Sequence, residues 1–290
     1  MEPFSILEPK DRKNGLVFNS PHSGIFVPET FEASLAVALK KLTFSSDNFV
    51  DRLLENIPRN GAGVFLNHYL RSYIDTNRAP YELDPDMIEG DLSALLPASH
   101  KDIPLKTSAK VRKGFGLLAR TTHDRQEIYK DKLSQQEIKN RLDDVYYPIH
   151  HALENHLNSI KRQQGYYLLV DCHSMPSLAF INPYLKENHQ PDIILGNCYN
   201  QSCPDNISDF FFRFFKDQGL DVVFNSPYAG GYNTLHYAAP EKKQFCIQIE
   251  INRALYMDEE KLTPHEGLFG LQDMMAELAL QLNEKITSLI

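Results

Sequence analysis

An α/β protein with a mixed, mostly parallel central sheet flanked by helices is what this sequence predicts, on three observations. Short runs rich in β-branched and aromatic residues alternate with longer helical patterns, as strands and covering helices do. Several of those runs end in polar residues, and open α/β sheets put their chemistry at the carboxyl ends of strands. The chain has 290 residues, 42% of them apolar and 11% aromatic, which is enough to close a sizeable core.

In chain order, the candidate strands are Gly15–Asn19, Gly63–Leu66, Leu70–Asp75, Tyr166–Asp171, Asp192–Gly196, Asp221–Asn225 and Phe245–Ile251. A helical region over about 135–164 contains Pro148, which should kink or divide it. Over about 206–216, Ile207, Phe210, Phe211, Phe214 and Phe215 recur at helical spacing and form a core-facing stripe. The last helix, about 267–289, turns Leu268, Leu271, Met275, Leu278 and Leu282 inward. No internal repeat or linker interrupts the chain, so a single domain over 1–290 is expected. Residues 80–113 hold four prolines and scattered charges and read as a long loop or lid.

The formal net charge of −8 comes without any dense Lys/Arg run, which argues against a nucleic-acid partner but leaves room for a small anionic substrate. The first residues are charged where a secretory signal would be apolar, and no run of about 18 apolar residues occurs later. A soluble, cytoplasmic protein with no membrane partner is the expectation. Cys172, Cys198, Cys203 and Cys246 have neither disulfide-framework nor zinc-knuckle spacing, and read as buried thiols.

Chemistry concentrates in six segments. Ser20-Pro21-His22-Ser23-Gly24 follows one apolar strand, and Asp171-Cys172-His173-Ser174 ends another. Two strands that each deliver a histidine would bring His22 and His173 together, and neutral imidazole is a common zinc ligand. A third ligand is sought in Ser46–Leu54. Asp47 is preferred because it can point out of a helix mouth, with Asp51 as the alternative ligand or as support for a histidine; an N-cap and a surface charge are the plainer reading. His151 and Glu154 share a helix face, with His150 and His156 close by, but their polar surroundings favour solvated or packing roles.

In Phe245–Arg253, Glu250 lies inside an apolar strand, where burial would raise its pKa toward the range useful for proton transfer; a salt bridge to Arg253 is the alternative. Arg71, Asn77 and Arg78 offer planar donors suited to a carboxylate, although Arg71 could instead pair with Asp75. Gly230 and Gly231 permit a close approach to a ligand, with His236 placed to bond a substrate.

Six ordered motifs, SPHSG (20–24), SDNFVDRL (46–53), RSYIDTNR (71–78), DCHSMPS (171–177), GGYNTLH (230–236) and EINR (250–253), resemble the N-formylglutamate amidohydrolase family over about residues 18–253. The resemblance implies a zinc carboxypeptidase-like, phosphorylase/hydrolase-like fold. It also implies that His22 and His173 hold zinc or another divalent metal with an acidic residue of 46–53, and that Glu250 is catalytic. Arg71, Asn77 and Arg78 would grip the carboxylates of a small anionic N-acyl amino acid, and His236 and Arg253 join them as substrate-binding candidates. The implied reaction is amide hydrolysis, of N-formyl-L-glutamate to formate and glutamate. A carboxypeptidase-like peptidase, another N-acyl amino acid deacylase and a non-catalytic binding protein on the same fold are the alternatives.

Overall fold

The computed structural model describes residues 1–12, 14–90, 95, 108–177 and 190–290. Packing divides the chain into two compact units, one of residues 5–20, 47–66 and 154–290, the other of residues 1–4, 21–46 and 67–153.

The first unit carries the sheet. Its strands are β1 (Phe4–Leu7), β2 (Leu16–Ser20), β3 (Gly63–Asn67), β4 (Tyr167–Met175), β5 (Ile193–Gly196), β6 (Val222–Phe224) and β7 (Gln244–Asn252), in the spatial order β1-β3-β2-β4-β7-β5-β6. β3, β2, β4 and β7 run parallel, β5 is antiparallel to β7, and β6 is parallel to β5. The sheet is therefore mixed and mostly parallel, as expected. Successive strand residues face opposite sides. Leu16 and Phe18, Val170 and Cys172, and Ile247, Ile249 and Ile251 enter one hydrophobic core with the helices Asp205–Asp217 and Gly267–Leu289. Each large apolar side chain fully buried there contributes roughly 1.5–3 kcal/mol.

The two helices follow their apolar periodicities. Ile207, Phe211, Phe214 and Phe215 are buried in the first, and Leu268, Leu271, Met275, Leu278 and Leu282 in the second. Parallel pairing puts the carboxyl ends of β2, β4 and β7 along one edge. On the face opposite the core, register aligns Asn19 with Asp171 and Asp171 with Gln248, and one step further along it aligns His173 with Glu250.

The second unit has a smaller core of Phe31, Leu35, Leu42, Leu70 and Ile128. Beside it the fully buried Arg141 guanidinium lies 4.4 Å from the Tyr73 ring centre and donates to the Tyr73 carbonyl at 2.9 Å and the Tyr129 hydroxyl at 2.8 Å. Glu137, one helical turn earlier, pairs with the same guanidinium.

Several expectations are corrected. Residues 70–75 form turns: Tyr73 N–H donates to the Leu70 carbonyl at 2.8 Å, so the buried Leu70 and Ile74 share a face by helical spacing of four. The helical region over 135–164 changes character before its proline, passing from the α-helix Gln135–Arg141 through a π-helical turn Leu142–Tyr146 to the α-helix Tyr147–Gln164. Pro148 is the second residue of that last helix, directly after the π-helical turn. β1 was not anticipated, and β4 runs four residues beyond Asp171 to include His173. Of the 80–113 segment, 91–94 and 96–107 lie outside the described residues; the rest includes a short 3-10 turn Pro85–Met87 and the helix Ala109–Arg112. All four cysteines are buried free thiols. Among the described residues no helix is long and apolar enough to cross a membrane.

The terminal helix supplies a direct test of this core. Leu278→Ala, at a fully buried position, should lower stability by about 2–5 kcal/mol. Leu280→Ala, at an exposed position on the same helix, should change it by no more than about 0.5 kcal/mol. Urea unfolding curves measure both, and equal losses would contradict the packing described.

Candidate metal centre

Two residues beyond β2, His22 is held by its neighbourhood. A Cβ on Gly24 would meet the backbone of His68 at 2.3 Å, so only glycine lets this loop press against residues 67–68, and Asn67 Nδ2 donates to the Pro21 carbonyl at 2.7 Å. The His22 ring meets Asp75 at Nε2···Oδ1 2.7 Å. Asp75 also accepts from Arg71 Nη2 at 2.8 Å and from the backbone N–H of Asn77 at 2.9 Å. Burial alone would raise the Asp75 pKa, yet the charges of His22, Arg71 and Arg78 hold it well below the usual carboxylate range. In a neutral imidazole whose Nε2–H donates to an aspartate, Nδ1 is the unprotonated nitrogen, the tautomer that a metal-ligating histidine needs.

His173 is arranged in the same way inside the sheet-bearing unit. Asp171, two residues back on the same strand face, lies 2.9 Å from His173 Nε2 and accepts from Asn19 Nδ2 at 2.6 Å. The other ring nitrogen, Nδ1, is 3.0 Å from Asp47 Oδ2. Asp47 precedes the short helix Val50–Leu53, outside it, because Phe49 adopts a left-handed conformation with φ 67°. Asp47 and Asp51 are thus not two residues of one helix face, and burial raises the pKa of Asp51.

Asp47 and His173, both buried, are among the residues whose ligand atoms could hold a metal ion. Asp47 is in that group and Asp51 is not. Two imidazoles and a carboxylate are the donor set of many catalytic zinc sites, and each imidazole here has a buried aspartate behind it. The residues present therefore fit a divalent metal.

Glu250, the strand partner of His173, is buried and accepts from Gln248 Nε2 at 2.9 Å. Arg253 is directed at Asp47 and Ser174. Arg78 donates to the carbonyls of Phe115 and Asn77, at 3.1 and 2.8 Å, and the Arg71 side chain is 23% exposed.

His236 is not brought into this group. It is exposed and lines a cleft with Tyr167 and Gln244, the first residues of β4 and β7, whereas His173 and Glu250 lie near the last. The paired glycines instead lead into a short helix, Tyr232–His236, on which the His236 ring stacks on Tyr232. His151 and Glu154 are exposed, in keeping with solvated roles. Sequence reasoning missed Asp171, although its i, i+2 relation to His173 in a strand puts both on one face. It saw Asp75 only as a partner for Arg71.

The flanking aspartates make a measurable difference to His173. Burial alone would lower its pKa, but Asp171 and then Asp47 raise it well above 6.5. In protein stripped by chelator, the protonated ring should stabilise the fold fully below the unfolded value, and that contribution should fade as pH rises through the raised value. NMR titration of the His173 ring and unfolding midpoints against pH test this. Asp171→Asn should bring the titration back down, and no change in that variant would refute the pairing.

A family model described as N-formylglutamate amidohydrolase matches residues 14–257. The chain is 28% identical over 258 residues to the N-formylglutamate deformylase of Pseudomonas aeruginosa, covering 88% of this chain and 86% of that protein. To the N-formylglutamate deformylase of Pseudomonas putida it is 28% identical over 270 residues, covering 92% and 91%. Its fold is similar to the crystal structure of N-formylglutamate amidohydrolase from Ralstonia eutropha, with a TM-score of 0.89 and 30% identity over 100% of both chains.

Proposed function

The chain belongs to the N-formylglutamate amidohydrolase family, and from that premise we propose that it is a metal-dependent amidohydrolase that cleaves N-formyl-L-glutamate to formate and glutamate. The observation that carries the proposal is the His173 ring set between Asp47 and Asp171, with Glu250 beside His173 in the β4–β7 register. His22, Asp47 and His173 would hold the metal, with zinc favoured by the donor set. When bound, zinc supplies a Lewis acid for the amide oxygen and lowers the pKa of water to about 7.

This chain's own residues do the rest. Glu250 takes a proton from the water as it attacks the formyl carbon and passes it to the departing amine when the C–N bond breaks. Gln248, donating to one oxygen of Glu250, orients the carboxylate. Arg71, Asn77 and Arg78 are the proposed grips for the substrate carboxylates, since a guanidinium plane matches a carboxylate in two parallel hydrogen bonds. Asp75, which already draws on Arg71, keeps that side chain in a defined orientation. Work would centre on a single 1–290 domain acting on a small, anionic molecule.

Three measurements test the reading. Glu250→Gln, close in shape to the native side chain, should lower kcat by roughly 10²–10⁴-fold, the usual worth of a positioned acid–base group, while zinc content by elemental analysis stays at the wild-type level. Near-wild-type turnover in that variant would remove Glu250 as the base. Chelator treatment should abolish activity and added zinc restore it. In a panel of N-formyl-glutamate, N-acetyl-glutamate and glutamyl dipeptides, the formyl compound should give the highest kcat/KM; a preference for dipeptides would make the protein a peptidase.

A further inference from the structure

We propose that Arg253 is a positioning residue for the metal ligand Asp47, setting which of its two oxygens faces the metal, rather than a grip for substrate. The inference rests on the metal-dependent reading above and adds a role for a side chain outside the ligand set.

Arg253 opens a 3-10 turn, Arg253–Leu255, immediately after β7, and the Asn252 side chain caps that turn by accepting from Ala254 N–H at 3.1 Å. Its side chain is 5% exposed. One edge of the guanidinium meets two oxygens of the chain itself: Nε donates to Ser174 Oγ at 3.0 Å and Nη2 donates to Asp47 Oδ1 at 3.2 Å. Ser174, having accepted from Arg253, donates onward to the same Asp47 Oδ1 at 3.3 Å. Two donors thus converge on Oδ1. The other oxygen, Oδ2, is the one 3.0 Å from His173 Nδ1.

The consequence is chemical. Each carboxylate oxygen has two lone-pair sites, and Oδ1 spends its sites on a cation and a hydroxyl. Oδ2 is then the oxygen presented beside the imidazole nitrogen, so Asp47 would ligate through one atom. The same contact offsets the cost of burying the Asp47 charge before any metal arrives. A second tie from the same turn supports the geometry: Tyr256 Oη donates to the Asn48 carbonyl at 3.0 Å, anchoring the loop that carries Asp47. Only a planar fork reaches both oxygens at once, and a lysine ammonium on its single stem does not reproduce it.

The experiment is a zinc titration of chelator-stripped, full-length protein in competition with a chromophoric chelator. It is run on wild type, Arg253→Lys and Ser174→Ala, with kcat and KM for N-formyl-L-glutamate measured at saturating zinc. Arg253→Lys should weaken zinc binding by roughly 10–100-fold, the usual worth of a group that orients a ligand. Ser174→Ala should shift it in the same direction by less, and KM should stay at the wild-type value in both. A raised KM with unchanged zinc affinity in Arg253→Lys would identify a substrate grip and overturn the proposal, as would unchanged zinc affinity in Ser174→Ala. If Arg253→Lys does not fold, Ser174→Ala, which keeps the guanidinium, decides alone. Wild-type protein that binds no zinc would instead overturn the functional reading on which the proposal rests.

Discussion

Three buried aspartates set the terms for this molecule. Asp47, Asp75 and Asp171 are 1%, 4% and 0% exposed, and a carboxylate withdrawn from water must be compensated by hydrogen bonds and positive charge. Each is. Asp171 has Asn19 and His173, Asp75 has His22 and Arg71, and Asp47 has Arg253, Ser174 and His173. The histidines are thereby locked in ring orientation, which is what a ligand to a metal requires of its outer partners.

The sheet explains how such a group comes to be buried at all. One face of β2, β4 and β7 is continuous hydrocarbon, which fixes those strands in the core. The other face carries Asn19, Asp171, Gln248, His173 and Glu250 on alternate positions, aligned across strands by the parallel register. A shift by one residue would exchange the two faces. The hydrophobic side thus enforces the placement of the polar side, and the proposed proton-transfer group ends beside a proposed metal ligand because both are tied to the same ladder.

Side chains named as equals by their motifs part company in the fold. Arg71 and Arg253 are both arginines in polar strings, yet Arg71 pairs with Asp75 and keeps part of its side chain in solvent, while Arg253 is turned inward onto Asp47 and Ser174. His236 follows a glycine pair that could have brought it to a ligand, but those glycines lead into a short helix and the ring stacks on Tyr232. A motif states which groups are nearby in sequence; which way each faces is settled by the packing around it.

The sequence by itself determined the α/β class and the core stripes of two helices, because hydrophobic periodicity and the polar ends of apolar strands are local properties. Residues 70–75 misled for the same reason: alternating burial arises from a strand and, over so few residues, equally from a turn with helical spacing. Only the tertiary structure separated Asp47 from Asp51, through a left-handed Phe49 that puts Asp47 ahead of its helix. It alone assigned Asp75 to His22 across 53 positions and Arg253 to Asp47 across 206. Partners that distant meet through the closing of the whole chain, and no window of residues records the meeting.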